Sequence, residues 1–461
     1  MFDLVLKNCR AVTPDGVREA DVCVSGGKIA EIRPCGSAEA ETVADIGGMY
    51  LFPGVVDAHV HFNDPGLPER EDMRSGTYAA AAGGTTTVID MPLSGDPTVI
   101  SPGALEQKKR AAAEKAVVDY ALWGGLVDGN AGAMEEMCRG GAIAFKAFTC
   151  FAGDDFPYVG REPLRRGMEE AARLGTLVGV HCEDEEITSK LEAEARAEGR
   201  TGVADFLAAH PPLSEEKAVD MVLEEAERTG ASVHICHATL PGVVRKVSEA
   251  KRRGVKATVE TCPQYLLFTG EDLERLRGVL KCTPPVRTRD DAEELWKLLE
   301  AGEIDLVCSD HSPSTVAQKN PASGSIWDAW GGVNGVQTLL PLMFHQAVVK
   351  RGMPPEKLAK LTAENPAKIF GLWPRKGAIA AGADADFAVL DPEAAWEVTP
   401  EILFYKNKHT PYMGMTIQGK VLKTFVRGVC VYDRGAVTPA HGTLLTRAGA
   451  AGKNLRRSGL R

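Results

Sequence analysis

Gly54-Val-Val-Asp-Ala-His-Val-His-Phe-Asn-Asp-Pro-Gly66 is the stretch from which the fold is read. Val55, Val56, Ala58 and Val60 are β-branched or small and predict a buried strand. Residues two apart on a strand project to the same side, so His59 and His61 point together into one space. Two imidazoles aimed at one point from the end of a buried strand form half of a metal site. Taken alone, such a pair is more often two buried histidines bonded to backbone. Other ligand types at the ends of later strands decide between the two readings.

Working outward, short apolar runs alternate with helical patterns from Pro53 to about Trp373. The runs fall at 55–60, 85–91, 117–127, 142–148, 177–183, 232–238, 256–261 and 304–310, with Trp123-Gly-Gly125 interrupting the third. Eight strands, each followed by a helix-compatible segment, predict an α/β fold, a (β/α)8 barrel over residues 53–373. Residues 1–52 alternate apolar and polar, with a hairpin signal at Gly26-Gly27. Phe387 to Leu390 and the pair 421–426 and 429–432, joined at Arg427-Gly428, return to β-structure. Residues 1–52 and 374–447 are therefore expected to combine into one small β-sandwich domain beside the barrel. Residues 448–461 are Gly- and Arg-rich and are expected to be a poorly ordered tail.

The composition of the 461 residues, 44% hydrophobic and 25% charged with a formal net charge of −10, is that of a soluble globular protein. That charge gives no footing to nucleic acid or an anionic membrane surface. No apolar run approaches the ~18 residues of a spanning helix. Asp3 and Lys7 stand where a signal peptide would need apolar residues. Eleven cysteines without C-x-x-C pairs read as reduced thiols of a cytoplasmic protein.

In a (β/α)8 barrel the chemistry sits at the C-terminal ends of the strands. Strand one supplies His59 and His61 there, strand four Lys146, strand five His181, strand six His237 and strand eight Asp310. Singly, each could be a satisfied buried polar group. Jointly, four histidines, a lysine and an aspartate aimed at one barrel mouth predict a metal site. Lys146 lies in Ala144-Phe-Lys-Ala-Phe148, where a buried ammonium beside divalent cations is electrostatically untenable. A neutral amine can add carbon dioxide to give a carbamate able to bridge two metals. The alternative is a lysine whose amine snorkels out of the barrel. His234 falls three residues before His237, faces the other side and reads as structural. So do His210, His345, His409 and His441, which are not at strand ends. His311 faces away from Asp310, with a supporting or substrate role left open.

These residues also carry a resemblance. With Gly83-Gly-Thr-Thr86, Phe145-Lys146, Val180-His-Cys-Glu183, Cys236-His237, Glu260-Thr-Cys-Pro263, Ser309-Asp-His311 and Gly382-Ala-Asp-Ala-Asp386, nearly the whole chain resembles the amidohydrolase superfamily. The branch it resembles is that of the cyclic amidohydrolases: dihydroorotases, dihydropyrimidinases (hydantoinases) and allantoinases. The resemblance implies two zinc ions, with cobalt or manganese as alternatives. His59, His61 and Asp310 would hold one, His181 and His237 the other, and carboxylated Lys146 would bridge. It also implies that Asp310 is the catalytic proton shuttle and that the enzyme assembles as a homotetramer.

Asn63 stands where dihydroorotases usually have an arginine for the substrate carboxylate, and Phe151 where dihydropyrimidinases usually have a tyrosine. The segments 148–159, 281–287, 329–332 and 408–412 are most similar to allantoinases. Leu67-Pro-Glu-Arg-Glu-Asp72 departs from the allantoinase pattern of an arginine and a Trp-Glu-Gly. The expected substrate is a small cyclic ureide or imide, allantoin foremost, then hydantoins or dihydropyrimidines, then dihydroorotate. Asn63, Thr283, Gly331 and Gly332 are the implied substrate contacts, and the loop 149–159 one wall of the pocket. Non-catalytic assembly proteins of the branch have lost metal ligands, whereas all six positions are filled here.

Overall fold

Val55–Val60, Thr85–Asp90, Asp119–Gly125, Ala142–Phe148, Leu177–His181, Ser232–Ile235, Ala257–Thr261 and Leu306–Val307 form one parallel sheet, each strand bonded to the next in chain order. The computed structural model describes residues 1–447 apart from 37 and 440, so the tail at 448–461 lies outside the described residues. The sheet closes on itself where the His61 N–H donates to the His311 carbonyl at 2.7 Å, bringing the first strand against the segment after the eighth. Every residue of the first four strands is buried. That follows from the architecture, because helices cover the outer face and side chains fill the inside.

The intervening helices carry their own start and stop signals. Asp72 caps Met73–Ala82, accepting from the Ser75 N–H at 2.8 Å, and Ser101 followed by Pro102 opens Pro102–Ala113. Arg161–Leu174, Pro212–Thr229 and Arg289–Ala301 each end on a glycine in the left-handed region. Among the described residues no helix is long and apolar enough to cross a membrane.

Trp123-Gly-Gly125 does not interrupt the third strand. The strand runs through to Gly125, and the Trp123 indole donates to the Ala58 carbonyl at 3.1 Å. A Cβ at Gly124 would lie 2.7 Å from the Phe145 ring, and one at Gly125 2.7 Å from Phe156. The glycines make room for aromatic neighbours. Strands six and eight end earlier than expected, at Ile235 and Val307. Beyond them His237 (φ 35°) and Asp310 (φ 46°) adopt left-handed backbone, which takes both residues out of the ladder.

Both chain ends contribute to a second, mostly antiparallel nine-stranded sheet. Its path runs from Ala436–Val437 through Val429–Asp433, Thr416–Val426, Phe387–Glu397, Tyr50–Pro53, Phe2–Thr13 and Gly16–Ser25 to Lys28–Arg33, with Ala40–Asp45 beside Phe2–Thr13. Leu4, Leu6, Val22, Ile29, Leu51, Phe387, Val389 and Phe425 form its own apolar cluster. Both expected hairpin turns have two consecutive left-handed residues, Gly26-Gly27 and Arg427-Gly428. The sheet is tied to the barrel through Lys376, which is fully buried. Its ammonium lies 2.6 Å from Asp119 at the start of the third barrel strand, 2.6 Å from Asp386 and 3.0 Å from Asp384.

Candidate metal centre

His59, His61, Lys146, His181, His237 and Asp310 all line one cavity of about 680 Å³ at the C-terminal end of the barrel strands. The Asp310 carboxylate oxygen Oδ1 lies 3.2 Å from His59 Nε2 and 3.3 Å from His61 Nε2. His181 Nδ1 and His237 Nε2 face each other at 3.0 Å. Ligand bonds of about 2.0–2.1 Å in a tetrahedron put donor atoms about 3.3 Å apart. These separations therefore fit donors converging on shared cations. Lys146 is fully buried among them, its amine 4.9 Å from the Phe148 ring centre and without a hydrogen-bond partner among the described residues. His61 Nδ1 and His237 Nδ1 are likewise unpartnered.

The electrostatics suit the same use. Burial pushes His61 down to about 4 against the pull of Asp310, and lowers His237 and His181 as well, which favours the neutral, ligating imidazole. Burial alone would raise Asp310, but His59, His61 and His237 hold its carboxyl well below the usual range. His237 and Asp310, both in strained left-handed backbone, add a conformational cost of the kind that clusters at functional sites.

Three residues of the site were not identified from the sequence. Glu260 binds His59 Nδ1 at 2.5 Å and His234 Nε2 at 2.9 Å, and accepts from the His237 backbone N–H at 3.1 Å. Glu183 binds His181 Nε2 at 2.9 Å and His210 Nδ1 at 2.7 Å. His210, read as structural because it is not at a strand end, lines the cavity. The available signal was chemical: Glu260 sits in an apolar strand and Glu183 two residues past the end of one, where a buried carboxylate requires partners. Burial opposes ionisation of Glu260, yet His59 and His234 keep it well below the carboxylate range. His234 is indeed no wall residue; it holds Glu260 from behind. His311 is fully buried, and its Nδ1 accepts from the Gly335 N–H at 3.1 Å.

Thr283, Gly331 and Gly332 lie on the cavity wall, and Cys150 to Gly153 of the loop after strand four form part of another. Asn63 does not. It is buried behind the wall, its amide donating to the Ser94 carbonyl at 2.9 Å. That amide nitrogen supports the Ser94 segment, which itself lines the cavity, and Asn63 Oδ1 has no partner among the described residues. Arg70 is also off the wall, its guanidinium stacked 4.0 Å from the Trp330 ring centre.

Several known proteins resemble this chain over nearly its full length. The model of the Amidohydrolase family matches residues 50–431. An allantoinase of Deinococcus radiodurans is 42% identical over 438 residues, covering 95% of this chain and 97% of its own. An allantoinase of Rubrobacter xylanophilus is 41% identical, covering 95% of each chain. Among solved structures, the L-hydantoinase (dihydropyrimidinase) of Arthrobacter aurescens superposes with a TM-score of 0.94 at 35% identity, covering 97% of this chain and all of that one. The dihydropyrimidinase of Brevibacillus agri gives 0.90 at 28% identity, covering 97% and 99%. The chain is a hydrolase and belongs to the amidohydrolase family.

Proposed function

We propose that this protein is an allantoinase, hydrolysing the ring amide of allantoin to give allantoate. The observation that carries the reading is the near full-length identity to allantoinases, 42% over 95% of the chain, with all six candidate ligands lining one cavity. His59, His61 and Asp310 would hold one ion and His181 with His237 a second. Carbon dioxide added to the unpartnered Lys146 amine would give the bridging carbamate. Two divalent ions, zinc by the donor set, would supply a water activated near neutral pH and an electrophile for the ring carbonyl.

The chain's own residues do the rest. Glu260 accepts from His59 Nδ1 and Glu183 from His181 Nε2, leaving His59 Nε2 and His181 Nδ1 as the lone-pair nitrogens. Asp310, held unprotonated, takes the proton of the attacking water and returns it to the ring nitrogen as the C–N bond breaks. One carboxylate and one amide nitrogen result, with the ring open between them. The reading includes a cytoplasmic homotetramer; the tetramer rests on the resemblance, and the eleven unpaired cysteines support a reducing compartment.

Asp310→Asn tests the assignment, since an amide oxygen still ligates but is no proton acceptor. The variant is expected to retain most bound metal and lose about three orders of magnitude or more in kcat. Near-normal turnover would remove Asp310 from proton transfer. A hydantoinase is the second reading, favoured by the 0.94 superposition on the L-hydantoinase.

A further inference from the structure

Two lysines support the cavity wall formed by 327–332, Lys319 from behind it and Lys281 from beside it, on the cavity lining. Lys319 is 1% exposed and Lys281 7%, and neither has a carboxylate within ion-pairing distance among the described residues. Each ammonium is instead surrounded by main-chain carbonyls. Lys281 Nζ donates to Trp327 O at 3.1 Å and Ala329 O at 2.7 Å. Lys319 Nζ donates to Trp330 O at 2.9 Å, to Gly332 O, and at 3.5 Å to Lys281 O. Burial pushes Lys281 down to about 8 and Lys319 to about 7, which registers the expense of desolvating an amine without a counter-ion.

The carbonyls gathered by the two amines belong to the segment that faces the substrate space. In a trans peptide the C=O and the following N–H point in opposite directions. The Trp330–Gly331 peptide is trans, and its carbonyl points back to Lys319. The Gly331 N–H therefore points forward, towards the cavity that Gly331 lines. It has no acceptor among the described residues. The neighbouring N–H groups are already used, Trp330 on Gln318 O at 2.8 Å and Gly332 on Lys281 O at 2.8 Å. A free donor on a wall fixed from behind is suited to a carbonyl oxygen of the substrate.

We propose that Lys319, assisted by Lys281, is a positioning residue: it holds the carbonyls of Trp330 and Gly332 on the far side of the wall. The Gly331 N–H is thereby aimed at the substrate's second ring carbonyl, the one between two nitrogens that is not attacked. This rests on the cyclic-ureide reading above and names what recognises that part of the ring.

The test compares hydantoin with 2-thiohydantoin, in which that oxygen is replaced by sulfur, a weaker acceptor. The wild-type protein, loaded with metal, is expected to prefer the oxygen substrate by about tenfold in kcat/KM. Lys319→Met keeps the aliphatic stem and removes the donors. Its preference is expected to fall to near unity through a raised KM for hydantoin, with metal content unchanged and kcat within a few-fold. A purely structural lysine would affect both substrates alike and leave the ratio intact, and that result overturns the proposal. If Lys319→Met does not fold, Lys281→Met reads the same ratio. Absence of an oxygen preference in the wild type overturns the proposal without any variant. A wild-type protein active on hydantoin but lacking the preference refutes the positioning role alone. One inactive on every cyclic ureide refutes the functional reading and this inference together.

Discussion

His59 and His181 are each tied on one ring nitrogen to a carboxylate, and that tie decides which nitrogen is left for a cation. Lys146 has the opposite problem, an amine enclosed by the site with nothing to bind. Lys146→Ala is expected to lose most of its bound metal, measured by elemental analysis, and most of its activity. Short-chain carboxylic acids with added metal should restore part of both. Full metal content in the variant would contradict a carbamate ligand. The six candidate ligands could be read from their places at or just past the ends of the apolar runs, with His59 and His61 paired by strand periodicity. Glu260, Glu183 and His210 could not be, because periodicity says nothing of what stands behind a ligand. His210 comes from the end of helix Val203–Ala209, outside any barrel strand. Asn63, two residues after His61, binds the Ser94 carbonyl through its amide nitrogen and leaves its Oδ1 without a partner among the described residues.

Elements position these residues through close fits between strands. A Cβ at Gly179 would lie 2.7 Å from the Trp123 ring, itself anchored on Ala58 in the His59 strand. Gly179 is also the register partner of Lys146. Gly179→Ala is therefore expected to destabilise the fold by about 1–3 kcal/mol, as overpacking does. Urea denaturation measures this, and an unchanged midpoint would show that Trp123 yields freely. The eight strands could be read from apolar runs bounded by turn residues, but not the ends of the sixth and eighth. Just beyond those ends His237 and Asp310 take left-handed backbone, a conformation that histidine and aspartate adopt more readily than most residues but that neither dictates from sequence alone. The glycines of the third strand were misleading for the converse reason, since their purpose lies in Phe145 and Phe156.

At the scale of the molecule, the two sheets are joined by Lys376 among Asp119, Asp384 and Asp386. Lys376→Met leaves those carboxylates without their shared cation and is expected to cost about 3–5 kcal/mol in unfolding free energy. Burial alone would raise Asp384, but Lys376, Arg375 and Lys28 bring it from 3.8 to about 2. A depressed carboxylate contributes stability that is present above its unfolded value and lost as pH falls through the folded one. Stability should therefore drop between pH about 4 and 2, and less steeply in Lys376→Met. An identical pH slope in the variant would exclude this cluster as a source of acid sensitivity. The union of both chain ends in one sheet was legible from the return of β-pattern after Trp373. The ionic joint was not, because Asp119 and Lys376 lie far apart in the chain.

The substrate follows from the same whole. Of the basic residues lining the cavity, Lys146 is read as a carbamate, Lys281 is held by two carbonyls and Arg196 pairs with Glu192 at 2.7 Å; Arg70, off the wall, is stacked on Trp330. A substrate carboxylate would lack a partner, and a buried unpaired charge is worth several kcal/mol. The decisive measurement is kcat/KM for allantoin, hydantoin, dihydrouracil and dihydroorotate on one metal-loaded preparation. Allantoin is expected to lead the series, ahead of dihydroorotate by about a hundredfold or more. A higher value for dihydroorotate would contradict the assignment, and a higher value for hydantoin or dihydrouracil would move it to the hydantoinases.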